Sequence, residues 1–444
     1  MSVGARAIGL AAIAWLCTAW PLAAQTTAAD SAAHAPDSVT IPTRPKLDPG
    51  ADTNSAQANY AYGMKMVFEN PGEAVRAFYW ASKIDPSSGD AMYALRTAKL
   101  IAMSDGDLAR YFGFGHQKRT PAQLALDSLI YRAYAVNPFL FSSIDGALMR
   151  RSIEAETATM FPQITPALLA QTVAQRMRGA AGRPWMAYTE GRFQDALDGY
   201  GSELRTLSDM GDTIQKKKLN AREKANAEMR RMRRAIGEVE IHAQRARIFY
   251  QIHEFDSAGT EMTAAVALLQ AQDTGAAVLL YQSKAIFDQS LGMIFEHDKR
   301  FDLAREAYGQ ALTEDLSYYA AHSHLAQLQL KAGDTTAAIT EMDLAVQLQP
   351  NDAALRYSYA VILVPAKRDA DAVQQLMKSI AADPYYAAPR LLLARISDVE
   401  EYTEEAVKGY QDYVALATRN DPQLPRVKMR LAKLTASLAS TQPH

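Results

Sequence analysis

Small and large apolar residues recur at a fixed step of 34 positions in the C-terminal part of the chain. One column holds small residues: Gly292, Ala326, Ala360 and Ala394. A second column is invariant alanine: Ala304, Ala338, Ala372 and Ala406. A third column is large and apolar: Tyr308, Met342, Leu376 and Tyr410. Several columns that keep one register over four periods indicate structural repeats, in which each unit buries its apolar face against the next one.

The sizes in these columns predict two antiparallel helices in each repeat. Two helices approach closely only where their facing residues lack bulk, and the first two columns meet this condition. Proline recurs at the same step, at Pro350 and Pro384, where it would end the second helix because it lacks the N–H group that continues the helical hydrogen bonds. We therefore expect an all-α fold of helix-turn-helix repeats.

On these residues, the segment 285–420 resembles tetratricopeptide repeats. The resemblance implies a right-handed superhelical solenoid with a concave groove lined by the first helix of each repeat. It also implies a protein or peptide partner. A clamp of basic and Asn side chains for a partner's terminal carboxylate is not expected, because Gln289, Met293 and Gln327 stand at the groove positions where that clamp would need such residues.

The repeat pattern degrades toward the N-terminus. Ala74, Phe78 and Ala81 repeat the second-helix pattern, and the segment 185–200 matches a whole helix pair. We interpret 56–275 as degenerate helical repeats with insertions, one of which covers 103–120. After the last repeat, an apolar stripe predicts a capping helix and tail over 421–444, and it consists of Val427, Leu431, Leu434 and Leu438.

The first residues have the pattern of an export signal. Arg6 precedes an apolar stretch from Ala7 to Trp20, and small residues follow at Ala23 and Ala24. We predict a signal peptide over 1–24; an uncleaved membrane anchor or a buried N-terminal helix is the alternative. Proline-containing, weakly hydrophobic residues then predict a disordered linker over 25–55.

Export and the absence of a thiol after residue 24 favour a bacterial envelope protein. The single cysteine, Cys17, lies inside the predicted signal peptide, so the mature chain would form no disulfide and hold no thiolate-bound metal. We expect a periplasmic or outer-membrane-associated protein of a Gram-negative-type bacterium.

Charge and motif content argue against several functional classes. The formal net charge is −2, so no overall positive field indicates a nucleic-acid partner. Neither zinc-protease, nucleotide-binding nor serine-hydrolase motifs occur, and the eight histidines show no metal-binding spacing. We expect no catalytic residue, no cofactor and no metal, and therefore a non-enzymatic scaffold.

Register assigns candidate partner-binding positions to the first helices. These groove positions are Gln289, Met293, Glu296, Tyr319, Ser323, Gln327, Lys331, Tyr357, Val361, Leu391 and Arg395. Their mixed apolar and polar character suits an extended or helical peptide. The alternative is that segments of the chain itself cover this face.

A second candidate surface is a basic helix over 216–234. Its basic residues include Lys216, Lys217, Lys218, Arg222, Arg230, Arg231, Arg233 and Arg234. Such a helix is typical of a solvated surface, but it also fits an anionic lipid or polymer. A third hypothesis is an envelope enzyme, or a subunit of one, with its site in the irregular region 100–180.

Overall fold

The computed structural model describes residues 41–112, 120–140, 144–212, 220–271 and 284–441. Within these residues the chain forms α-helices and no strand. The first ten helices are α1 (Ala56–Met66), α2 (Pro71–Ile84), α3 (Gly89–Ile101), α4 (Asp105–Phe112), α5 (Pro121–Val136), α6 (Ile144–Met160), α7 (Pro166–Ala180), α8 (Pro184–Thr189), α9 (Phe193–Asp212) and α10 (Ala221–Gln251). The other ten are α11 (Phe255–Ala271), α12 (Lys284–His297), α13 (Phe301–Glu314), α14 (Tyr319–Lys331), α15 (Thr335–Leu348), α16 (Ala353–Leu363), α17 (Asp369–Ala382), α18 (Ala387–Val399), α19 (Thr403–Leu416) and α20 (Leu424–Thr441).

The helices belong to two compact units. Unit 1 contains the described residues of 103–123 and 138–316, and unit 2 contains those of 38–102, 124–137 and 317–444. Among the described residues, unit 2 is therefore built from the first three helices, most of α5 and the last seven helices.

Successive helices pack as antiparallel pairs, and the predicted columns form the contacts between them. Ala338 and Met342 of α15 are fully buried, as are Ala372 and Leu376 of α17. At Gly292 of α12 an added Cβ atom would lie 2.6 Å from the ring of Tyr308 on α13, so this crossing requires a residue without a side chain. These contacts confirm the all-α helix-turn-helix repeat solenoid.

The N-terminal pair in unit 2 repeats the same packing. Phe78 of α2 is fully buried, and an added Cβ atom on Gly63 of α1 would come within 2.6 Å of its ring. The degenerate sequence over 56–101 therefore keeps the close crossing of the regular repeats.

Local chemistry explains where several helices begin and turn. Asn70, Asp334 and Asp352 each accept a hydrogen bond from a backbone N–H of the first turn of the following helix. Gly191 adopts a positive φ of 74° in the turn between α8 and α9, a conformation that glycine tolerates without steric cost. The pair predicted over 185–200 is thus present.

Residues 41–55 carry no helix or strand, yet they contact folded elements of unit 2. The carbonyl of Pro42 accepts a hydrogen bond from the Trp80 indole at 3.0 Å, and the Arg44 guanidinium lies 4.2 Å from the Trp80 ring centre. At the other end, Asp52 accepts a hydrogen bond of 2.6 Å from the backbone N–H of Arg419. We call residues 41–55 the N-terminal arm; the structure holds this part of the predicted linker at both of its ends. The predicted signal peptide and residues 25–40 lie outside the described residues.

Candidate partner-binding face

The groove positions of α12, in unit 1, are buried or already hydrogen-bonded. Gln289 is fully buried and Met293 nearly so. Glu296 accepts a hydrogen bond of 3.1 Å from the hydroxyl of Tyr308 on α13. These three positions thus contribute to packing within the repeat rather than to an open surface.

In unit 2, α5 reaches the N-terminal ends of the first helices. Arg132 of α5 lies 3.3 Å from the carboxylate of Asp352, which caps α16. Burial raises the pKa of Tyr319, the first residue of α14; the carboxylate of Asp352 adds to this effect and Arg132 opposes it. Tyr319 is therefore a groove position that the protein's own α5 approaches.

The N-terminal helix pair, α1 and α2, contacts the next repeat at the corresponding place, just before the first helix α18. Lys83 of α2 bonds Asp383 at 3.2 Å, and Trp80 packs edge-on against Tyr385 with 4.6 Å between ring centres. Burial raises the pKa of Asp383, and the ion pair with Lys83 opposes this rise. Segments of the chain itself thus cover the edge of the predicted groove that is formed by the N-terminal ends of the first helices.

The C-terminal halves of the same helices stay exposed. Gln327, Val361 and Arg395 occupy one register position on α14, α16 and α18, and all three are exposed, Val361 by 41%. We call these three residues the open strip. Lys331 is exposed beyond it, whereas Ser323 and Tyr357 are half-buried and Leu391 is buried.

A column of buried polar residues crosses the helix pairs, and the 34-residue pattern of apolar residues does not predict it. His322 of α14 bonds Glu341 of α15 at 2.6 Å, and Arg356 of α16 donates to Gln375 of α17 at 2.6 Å. In both pairs the partner lies 19 residues further along the chain. The signal that could reveal this column is the 19-residue spacing, because the residue types themselves differ from repeat to repeat.

Asp288 is the member of this column on α12, but the position 19 residues later is Ala307. Asp288 is only 5% exposed. Burial raises its pKa to about 7, the nearby carboxylate of Glu314 adds to the rise, and the ammonium of Lys284 opposes it. Asp288 is therefore a buried carboxyl group that titrates near neutral pH.

The predicted basic surface is partly described. Arg222, Arg230 and Arg231 are exposed on α10, whereas Arg234 pairs with Glu238 at 2.7 Å. Lys216, Lys217 and Lys218 lie outside the described residues, as does the side chain of Arg233.

The region proposed for an alternative enzyme site contains structural ion pairs between helices. Arg151 of α6 bonds Asp105 of α4 at 2.6 Å, and Arg176 of α7 bonds Glu156 of α6 at 2.7 Å. In the part of the chain that the structure describes, His, Asp and Glu residues form no group of three or more that could hold a metal ion. Among the described helices, none is long and apolar enough to cross a membrane.

Comparison with known proteins identifies the repeat. Residues 297–362 match the tetratricopeptide repeat family, and no curated protein matches the chain.

Similar solved structures share the helical repeat at low identity. One is "YrrB: a TPR protein with an unusual peptide-binding site", which is 16% identical with a TM-score of 0.35 and covers 43% of this chain and 91% of its own. Pseudomonas aeruginosa pilF is 17% identical with a TM-score of 0.39 and covers 46% and 86%. Yeast Tom70 is 12% identical with a TM-score of 0.40 and covers 87% and 90%.

Proposed function

We propose that this chain is a non-enzymatic scaffold of the bacterial cell envelope, and that it binds a peptide or protein partner along the open strip. The tetratricopeptide match over 297–362 supports a binding role, because this repeat is a protein- and peptide-binding module. The strip lies on the first helices, the ones that the resemblance assigns to the groove. The observation that carries the proposal is the exposure of Gln327, Val361 and Arg395 beside an edge that the chain itself covers.

The composition of the strip suits a peptide of mixed character. Val361 supplies an exposed apolar surface between a neutral amide at Gln327 and a cation at Arg395. An apolar contact with a polar rim is the usual arrangement of a protein interface. An extended or helical segment would place an apolar side chain on Val361 and an acidic one near Arg395.

The envelope location rests on the sequence of residues 1–24. The apolar stretch between Arg6 and the small residues Ala23 and Ala24 supports export. Mass determination of the protein recovered from the envelope would test this location, with a mature N-terminus at Gln25 as the expected result. A cytoplasmic chain that retains Met1 would contradict it.

A photo-crosslinking experiment tests the strip. A photoreactive amino acid replaces Val361 in one variant and Met377 in the control, since Met377 is 61% exposed but lies on the second helix α17. We expect one defined crosslinked partner from position 361 and none from 377, because only position 361 faces the proposed binding surface.

Affinity for that partner gives the quantitative test. Val361→Glu is expected to weaken binding by about tenfold or more, which corresponds to about 1.4 kcal/mol, while Met377→Glu leaves it unchanged. Equal crosslinking from both positions, or equal affinity of both variants, would show that the strip does not bind the partner.

A further inference from the structure

Helix α10 carries an exposed basic surface near its N-terminus. Arg222, Arg230 and Arg231 are exposed, and none of them forms an ion pair with another described residue. Met229 lies among them and is 52% exposed. Arg222, Met229 and Arg230 lie within about 100° of the helix circumference, and Arg231 lies about 100° beyond Arg230. We call these four residues, which together wrap around about half of the helix, the basic face; the exposed Glu228 borders it.

The turn between α18 and α19, together with the first turn of α19, carries the opposite charge. Its glutamates are exposed and form no ion pair within the described residues: Glu400, Glu401, Glu404 and Glu405. Two apolar side chains stand out among them, Val399 at 80% exposure and Tyr402 at 60%. We call these six residues the acidic turn.

The backbone fixes the shape of the acidic turn. The N–H of Tyr402 donates to the carbonyl of Ser397 at 2.8 Å, and Glu401 adopts a positive φ of 62°. Asp398, just before the turn, is held separately by Arg430 at 2.6 Å and by the Tyr410 hydroxyl at 3.0 Å. The four glutamates are therefore presented on an ordered element and are not engaged by these neighbours.

The two surfaces are complementary in charge and alike in construction. Each has an exposed apolar side chain within a charged rim, the arrangement found in protein interfaces, and the rims have opposite signs. The net charge of −2 is close to zero, so repulsion between two copies is small. We propose that the basic face of one copy of this chain binds the acidic turn of a second copy.

The contact joins two different surfaces, so each copy keeps one basic face and one acidic turn for further copies. Such a heterologous contact continues into a ring or an open filament. Because both rims are exposed, the association depends on ionic strength: the Debye length falls from about 10 Å at 0.1 M salt to about 3 Å at 1 M.

Sedimentation velocity of the full-length chain tests the contact. We expect concentration-dependent association at about 0.1 M salt and monomers at about 1 M. The variant Arg230→Glu/Arg231→Glu and the variant Glu404→Lys/Glu405→Lys should each remain monomeric at low salt, because each one sets like charges against each other. The matched control Arg426→Glu/Lys428→Glu reverses two exposed basic residues of α20 and should associate like the unmodified chain.

Mixing the two charge-reversed variants separates this contact from a general charge effect. Their unmodified surfaces remain complementary, as do their reversed ones, so an equimolar mixture should associate again. Restored association in the mixture also shows that both variants fold.

Three results would overturn the proposal: a monomeric chain at about 0.1 M salt, association that survives the reversals, or a mixture that stays monomeric. Pelleting with phosphatidylglycerol vesicles provides the competing outcome. A monomeric chain that binds the vesicles, and loses binding in Arg230→Glu/Arg231→Glu, assigns the basic face to an anionic lipid surface instead.

Discussion

The helix pairs α12–α13 and α16–α17 have the same apolar contacts but differ at one buried polar position. Both place a small residue against a large one, Gly292 against Tyr308 and Ala360 against Leu376, and all four are fully or almost fully buried. In α16–α17 the buried Arg356 has an acceptor in Gln375. In α12–α13 the equivalent residue is Asp288, and alanine, Ala307, occupies the position that corresponds to Gln375.

The two helix pairs show that apolar and polar positions contribute differently to the packing of a repeat. The apolar columns set the close approach of the helices and can be the same in every repeat. The polar column differs from one helix pair to the next. It can therefore distinguish correct from incorrect pairing of helices, because a buried polar group is stable only with a suitable partner. Where the partner is alanine, the polar group instead responds to pH.

The largest expected effect comes from removing the charge at Asp288. Its pKa is raised in the folded state from 3.8 to about 7, so the native chain holds a proton there that the unfolded chain has released. The free energy of unfolding therefore falls as pH rises between these values, by about 1.4 kcal/mol for each pKa unit and up to about 4 kcal/mol in all. Asp288→Asn should match the unmodified chain at pH near 4 and be more stable above 7, measured by urea unfolding.

Asp302→Asn is the control, since its side chain is 95% exposed on α13. It removes the same charge without relieving burial. Because it breaks only an exposed ion pair with Arg305, at 3.0 Å, its unfolding should stay within about 1 kcal/mol of the unmodified chain at every pH. A difference between Asp288→Asn and the unmodified chain that does not depend on pH would contradict the assignment.

A change in the shared apolar contact should have a smaller effect that is independent of pH. Gly292→Ala places a Cβ atom 2.6 Å from the ring of Tyr308, which is fully buried and has no room to move away. We expect a loss of about 2 kcal/mol in thermal or urea unfolding. Gly309→Ala is the matched variant on α13, where nothing lies within 4 Å, and it should stabilise by about 0.5–1 kcal/mol because alanine favours helix. Equal effects of the two variants would show that the crossing is loosely packed.

The smallest effect is expected at the polar position of α16–α17. Gln375→Leu keeps the volume but removes the acceptor of the Arg356 guanidinium, whose second bond to the carbonyl of Pro350 remains. A loss of about 1.5 kcal/mol is expected, the lower end of the range for a hydrogen bond to a charged group, because the second bond remains. The neighbouring Gln374 is exposed, so Gln374→Leu should have no effect on urea unfolding. An unchanged stability of Gln375→Leu would mean that the polar column does not distinguish the pairs.

The sequence alone predicts the helical repeat, because the residues that define it lie close together in the chain and recur in every unit. A step of 34 residues and the sizes at Gly292, Ala338 and Met342 follow from helix packing, and the structure confirms them. The polar column cannot be predicted from residue type, because its members Asp, His and Arg share neither size nor charge. Its regularity lies in the spacing to a partner on the next helix.

The sequence predicts the covered edge of the groove only as an alternative to an open groove, and the physical reason is different. The contacts that form it join distant parts of the chain, with 220 residues between Arg132 and Asp352 and 300 between Lys83 and Asp383. No local pattern encodes such contacts. Burial of a single groove residue also depends on its neighbour in the next repeat, since Tyr357 packs edge-on against Tyr386 with 5.5 Å between ring centres.

The N-terminal arm also imposes an order of events on biosynthesis. Asp52 and Asn54 bond Arg419 and Ala415 across sequence separations of 367 and 361 residues. Because the ribosome makes the chain from its N-terminus, α1 and α2 emerge long before the residues that complete unit 2 exist. Closing so long a loop is also slow compared with pairing neighbouring helices. The first repeats must therefore wait, incompletely buried, for the last ones, and nascent chains released before Arg419 would be the most sensitive to proteolysis.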